Sequence, residues 1–227
     1  MKYIEVIGKL KPSHFKPSNL EKLLLVIALS LIFYGGLVLW ERYQATHKKS
    51  PTINQQAITN SANDPDETKP DCDNYKVSSD KPRKIILPDI NIDGCIMQVG
   101  IDQHGAIAVP NNIHLTGWYT NSPLPGSGGV SIIDGHASGK YNPGIFKKLE
   151  ELNKGDRFNI EFGDKTTKTF EIVDIQKLSV EETTQKMYRQ ISSVESQLNL
   201  ITCGGDYDSK KNQFEKRILV VSKLVKD

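Results

Sequence analysis

From Pro82 onward, short apolar or alternating runs recur along the chain, separated by Gly, Pro, Asn and Asp. The runs are KIILP, IDGCIMQVGI, AIAVP, GVSIIDGH, RFNIEF, TFEIVDI, LNLITC and RILVVSKL. Side chains on a strand alternate between its two faces, so this texture predicts β-strands, and many short strands with regular turns predict an all-β barrel or sandwich. Asn153-Lys154-Gly155-Asp156 and Gly163-Asp164-Lys165 read as turn tips. Two stretches break the strand pattern. Ile145 to Leu152 (IFKKLEEL) predicts a short helix, and Val180 to Ser193 another, with Glu181, Glu182 and Lys186 placed for pairing one turn apart. No internal repeat is present.

The N-terminal third has a different pattern. Leu23 to Trp40 (LLLVIALSLIFYGGLVLW) is apolar throughout, without charge or proline. About 20 such residues span a bilayer core, so the run predicts a transmembrane anchor, with Trp40 at the interface. It is longer than a signal-peptide core, and Trp40-Glu41-Arg42 is no small-residue cleavage site. Lys2, Lys9, Lys11, Lys16 and Lys22 precede the run, whereas Arg42, Lys48 and Lys49 follow it. That bias puts the N-terminus inside and the body outside, as a single-pass protein of the cell membrane. Arg42 to Lys81 is rich in Asn, Thr, Ser, Asp, Lys and Pro, which predicts a flexible stalk. The expected organisation is thus a cytoplasmic tail (1–22), an anchor (23–40), a stalk (41–81) and a globular domain (82–227).

Composition narrows the function. The chain has 227 residues, 37% hydrophobic and 25% charged, which suits one ordinary domain with added segments and not a multi-span membrane protein. The net charge of +2 comes without a basic patch interleaved with aromatics, so nucleic acid is not an expected partner. No spacing of Cys and His suggests zinc, and no carboxylate set suggests calcium, so no cofactor is expected.

Three residues in the C-terminal half have the chemistry of a cysteine nucleophile with its helpers. Cys203 closes the apolar run Leu198 to Ile201 and is followed by Gly204-Gly205. A thiol at a strand end is exposed and positioned, although a free cysteine is also commonly a small buried hydrophobe. His136 likewise ends a strand, in GVSIIDGHASG; His104, in the turn-like Asp102-Gln103-His104-Gly105, and His114 compete for the acid/base role. Arg217 opens the last strand and is the only arginine after Cys203. A guanidinium beside the nucleophile stabilises thiolate and oxyanion and keeps its own proton.

These segments together resemble the sortase family. Asn199-Leu200-Ile201-Thr202-Cys203 is similar to the signature TLxTC, with Asn199 in place of the first threonine. FEKRILVV places Arg217 where the family carries its arginine. TGWYTNSPLPGSGGVSIIDGH resembles the approach to the histidine in class D, E and F sortases, and FEKR the class A type. The resemblance covers roughly Pro82 to Val225 and implies a closed sortase-type β-barrel. It implies Cys203 as nucleophile, His136 as acid/base, Arg217 as oxyanion and substrate partner, and Thr202 as a further substrate contact. It also implies the partners: secreted proteins with a C-terminal LPxTG-like sorting signal, and an amine acceptor such as a lipid-linked peptidoglycan precursor or a pilin lysine.

Reference pKa values near 8.5 for cysteine and 6.5 for histidine make thiol-to-imidazole proton transfer cost roughly 2.7 kcal/mol before any interaction, so a fully formed ion pair is not assumed. Cys72 and Cys95 remain: outside the cytoplasm they either form a disulfide, leaving Cys203 as the odd free thiol, or stay unpaired, and spacing does not decide. A pilin-polymerising or hydrolytic sortase would use the same three residues, whereas a surface β-barrel binding module would need none of them. The Ser-x-Gly-Cys context of an L,D-transpeptidase is absent.

Overall fold

A computed structural model of the chain describes residues 19–47, 64–103, 105–210 and 213–226. The expected tail residues 1–18, stalk residues 48–63 and His104 lie outside them. The chain divides into two units between Lys48 and Lys49.

The first unit contains α1 (Asn19–His47). Large apolar side chains such as Leu29, Leu31, Ile32, Phe33 and Leu39 are exposed on it, with no single apolar stripe. Among the described residues no helix is long and apolar enough to cross a membrane.

The second unit is a closed barrel. Its strands are β1 (Pro82–Leu87), β2 (Ile92–Val99), β3 (Thr116–Tyr119), β4 (Gly129–Gly135), β5 (Arg157–Phe162), β6 (Thr167–Ser179), β7 (Ser196–Asp208) and β8 (Gln213–Leu224). They close in the order β1-β2-β3-β4-β7-β8-β6-β5. Two neighbours run parallel, β2 with β3 and β4 with β7, and the rest antiparallel. Ile85, Ile96, Ile133, Phe146, Phe158, Phe170, Leu198, Leu200 and Val220 fill the interior. A second apolar layer lies on the other face: Val130, Ile132, Leu178, Ile201, Leu219 and Val221, with Tyr119, Ile107 and Met187 against it. Strands β4 and β7 are therefore buried on both faces, which is why GVSII and LNLI read as near-continuous apolar runs.

Three expectations change. AIAVP forms only a single bridge, Ile101 to Ile107, while Thr116–Tyr119 is a strand whose pattern Gly117 interrupts. The Ile145–Leu152 helix reduces to a turn of 3₁₀ helix at Leu149–Glu151. The second helix, α2, covers only Val180–Lys186 of the stretch expected to reach Ser193. A capping box between Ser179 and Glu182 starts it. It stops because buried β7 side chains capture the following backbone. Asn199 Nδ2 donates to Met187 O (2.7 Å), Gln197 Nε2 donates to Arg189 O (3.1 Å), and Ile191 N donates to Gln197 Oε1 (2.8 Å).

Residues 64–81, expected as the end of a flexible stalk, form a strap against the barrel. Cys72 and Cys95 are disulfide-bonded, with Cα atoms 5.1 Å apart. Asn112 Nδ2 donates to Thr68 O and Asn142 Nδ2 to Pro65 O, both at 3.2 Å. Arg83 donates from Nη1 to Cys72 O and from Nε to Glu161 Oε1 (2.8 Å), with Nη2 also on that carboxylate. Covalent and polar pins act here together with a small apolar cluster, Cys72 and Tyr75 against Cys95, Met97 and Leu115, so the polar composition concealed the packing.

Candidate active site

Strand register assembles the site. Cys203 on β7 lies opposite Arg217 on β8. Strand β4 runs parallel to β7, with Asp134 opposite Ile201. His136 follows the end of β4 directly and lines the same groove as Cys203. Thr202 pins these strand ends, its Oγ1 donating to Gly135 O at 2.7 Å. Thr202 is 4% exposed and lines the groove.

His136 is half-buried and supported from two sides. Its Nε2 lies 2.7 Å from Pro110 O. A carbonyl only accepts, so Nε2 carries the proton and Nδ1 is the nitrogen of the neutral ring free to take one. The loop after the histidine folds back beneath it, with Phe146 N donating to His136 O at 2.9 Å. A Cβ on Gly144 would overlap the His136 carbonyl and stand 2.8 Å from the His136 Cβ, so only glycine permits the approach. His114, the described competitor, is fixed elsewhere, its backbone N–H donating to Asn112 Oδ1.

Cys203 is the free cysteine and is half-buried. Burial pushes its thiol up; the Arg217 guanidinium pulls it back in part, and Asp134 adds to the rise. Cys203 therefore rests as a thiol, and Arg217 is the group that favours its ionisation. Arg217 is itself oriented by Nη1 donating to Lys216 O (2.9 Å) and Phe214 O (3.1 Å).

The three residues share a groove of about 690 Å³ walled by Ile101, Ile107, Val109, Val180, Met187 and Ile201. The α2 segment forms one wall, and the Asn199 amide that holds Met187 O ties that wall to the nucleophile's own strand. This accounts for a carboxamide at the position where the signature carries threonine. Among the described residues, no group of three or more His, Cys, Asp or Glu is placed to hold a metal ion.

Asp134 also lines the groove and was not among the expected site residues. It is buried, its Oδ1 has no hydrogen-bond partner, and desolvation raises its carboxyl well above the usual range, with backbone N–H groups of Asp134 and Gly117 offsetting that only in part. The signal was in the sequence: an acid inside the apolar run GVSIID, two residues before the histidine.

The barrel unit matches a known family. A family model described as a sortase domain matches residues 85–225. Among solved structures, the chain is similar to sortase C-1 from Actinomyces oris, at 24% identity over 64% of this chain and 73% of that one, TM-score 0.47. A lid mutant of sortase A from Corynebacterium diphtheriae matches at 26% identity over 64% and 70%, TM-score 0.50. Sortase C1 from Streptococcus agalactiae matches at 22% identity over 67% and 72%, TM-score 0.49. No curated protein matches the sequence. With the family match spanning most of the barrel unit, the chain belongs to the sortase family of cysteine transpeptidases.

Proposed function

We propose that this sortase is a membrane-anchored enzyme that cuts an LPxTG-like sorting signal of secreted proteins between Thr and Gly. It transfers the new C-terminus to an amine on a lipid-linked peptidoglycan precursor or a pilin lysine. The observation that carries the reading is the register pair Cys203–Arg217 with His136 lining the same groove. In the first half-reaction the Cys203 thiol gives its proton to His136 as sulfur adds to the Thr carbonyl. Arg217 stabilises the oxyanion. Collapse breaks the Thr–Gly bond, and imidazolium returns the proton to the leaving amine, leaving a thioester. The acceptor amine then attacks the thioester, His136 takes its proton, and Cys203 is released as thiol. Thr202, which lines the groove and holds the two strand ends together, adds a contact to the peptide.

The apolar run Leu23–Trp40 within α1 and the lysine bias before it support an anchor with the N-terminus inside and the barrel unit outside the cell. A disulfide in the barrel unit fits that oxidising side.

The test uses the full chain in detergent with an LPxTG peptide and an amine acceptor, followed by mass spectrometry. Cleavage at Thr–Gly with an amine adduct is the expected outcome, absent in Cys203→Ala and reduced about 100- to 1,000-fold in Arg217→Ala. Free acid alone identifies a hydrolytic enzyme. Cleavage that persists in Cys203→Ala, or no turnover across a library of sorting peptides, overturns the proposal.

A further inference from the structure

The groove holds one polar group that the transpeptidation scheme leaves idle. Asp134 sits on the groove face of β4, two residues before His136 and opposite Ile201 on β7. It is 7% exposed, and its Oδ1 is a buried acceptor without a hydrogen bond. Unpaired buried polar atoms are uncommon and costly, and one that lines a substrate groove points to a partner that arrives with the substrate.

The backbone makes room for this carboxyl. On the neighbouring strand β3 the residue opposite Asp134 is Gly117. A Cβ at Gly117 would stand 2.7 Å from Asp134 Oδ1 and 2.9 Å from both Val99 methyl carbons. The carboxyl thus occupies a cradle that any other residue would fill. The titratable and charged groups that share the groove are His136 beyond β4, Cys203 on β7, Arg217 on β8, Tyr119 on β3, Tyr188 after α2, and Asp102 in the loop after β2. None of them gives Oδ1 a hydrogen bond.

We propose that Asp134 is a specificity-determining residue: its carboxyl is the polar floor of a mainly apolar subsite and hydrogen-bonds a neutral polar side chain of the sorting peptide, a carboxamide (Asn or Gln) above all. The proposal rests on the reading of the groove as a sorting-peptide site. Burial favours the protonated acid, and in that form a carboxyl donates through O–H and accepts through C=O. A primary carboxamide presents the complementary N–H and C=O side by side. A cationic side chain would instead hold Asp134 ionised, and that charge raises the Cys203 thiol and opposes the thiolate. A neutral partner satisfies the carboxyl without that cost.

The test separates recognition from reaction. Sorting peptides carrying Leu, Asn, Gln or Lys in turn at each position upstream of the Thr are titrated by fluorescence anisotropy. The protein is the full Cys203→Ala chain in detergent, with and without Asp134→Leu or Asp134→Asn. At one position, Asn or Gln is expected to bind about tenfold tighter than Leu. Asp134→Leu should erase or invert that ranking, and Asp134→Asn, which keeps a donor and an acceptor, should retain it. Thermal unfolding of both variants checks that they are folded. A ranking unchanged by Asp134→Leu overturns the proposal. So does an equal loss for every peptide, which would mean a backbone contact, or a preference for Lys that Asp134→Asn abolishes, which would mean an ion pair. Thr–Gly cleavage by the unmodified chain is scored separately. A ranking that follows Asp134 without any cleavage sinks the transpeptidation reading and leaves the subsite standing; absence of binding by every peptide sinks the subsite.

Discussion

Arg83 and Asp134 are both charged side chains buried in the barrel unit, at 2% and 7% exposure, and their surroundings are opposite. Arg83, on the strap side, is saturated: Glu161 and the Cys72 carbonyl take its nitrogens at close range, and the Asp73 and Tyr75 carbonyls lie at 3.4 Å. Asp134, on the groove side, has one carboxyl oxygen without a hydrogen bond, and burial raises its pKa above the ordinary carboxyl range. Being unpaired does not mark a site on its own. Both carboxylate oxygens of Glu67, in the strap, are also without hydrogen bonds, yet Glu67 does not line the groove. What sets Asp134 apart is that it is unpaired and also lies beside the nucleophile. A saturated buried charge organises structure; an unsaturated one facing a substrate groove is held ready for something that binds.

The contrast breaks most visibly at Arg83. Arg83→Met removes the cation and leaves Glu161 and the strap carbonyls without their donor. Removing one partner of a buried pair costs about 3–5 kcal/mol, read as a lower urea midpoint, while the alkylation rate of Cys203 in the folded protein stays the same. A loss below about 1 kcal/mol would show that Arg83 is not what holds the strap.

The disulfide follows in size on that side of the barrel. Cys72 and Cys95 are 23 residues apart in sequence, and closing such a loop is worth about 3 kcal/mol. Unfolding the full Cys203→Ala chain with and without reductant measures it. An unchanged midpoint on reduction would mean that the polar pins hold the strap without the bond.

Asp134→Asn sharpens the contrast with the smallest effect and the opposite sign. The folded-state carboxyl is raised above its ordinary 3.8, so Asp134 contributes full stability below that value and loses it as pH rises toward the folded-state value. The asparagine variant has no such loss. It should therefore be more stable than the parent at pH 8, read as a higher urea midpoint, and show no gain near pH 3.5. A gain equal at both pH values would show that packing, not ionisation, separates the two side chains.

Much of the barrel was legible because alternation reports burial directly. The runs at β1, β2 and β4 to β8 each carry enough apolar residues to declare themselves. β3 did not, since Gly117 stands where a pattern needs a side chain and where the Asp134 carboxyl needs space. The helix expected through Ser193 failed for a non-local reason: Gln197 and Asn199, on a later strand, take the backbone groups a longer helix would have used. The strap failed because its attachment is one covalent bond, a few polar contacts and a small apolar cluster of Cys72 and Tyr75 with Cys95, Met97 and Leu115, and a mainly polar composition carries little sign of these.

Cys203, His136 and Arg217 were readable as candidates because few side chains can act as nucleophile, acid/base and fixed cation, and each stands at the edge of an apolar run. Strand positions, the rare chemistry at strand ends and the apolar N-terminal run are local properties, written in neighbouring residues. Their convergence is not local. The parallel pairing of β4 with β7 brings Asp134 opposite Ile201 and puts His136 and Cys203 on one groove, across more than sixty positions of sequence, and the antiparallel β7–β8 pairing sets Arg217 opposite Cys203. Whether a buried polar group finds a partner is likewise settled only when distant strands meet, because desolvation and hydrogen bonding depend on what surrounds an atom and not on what precedes it in the chain.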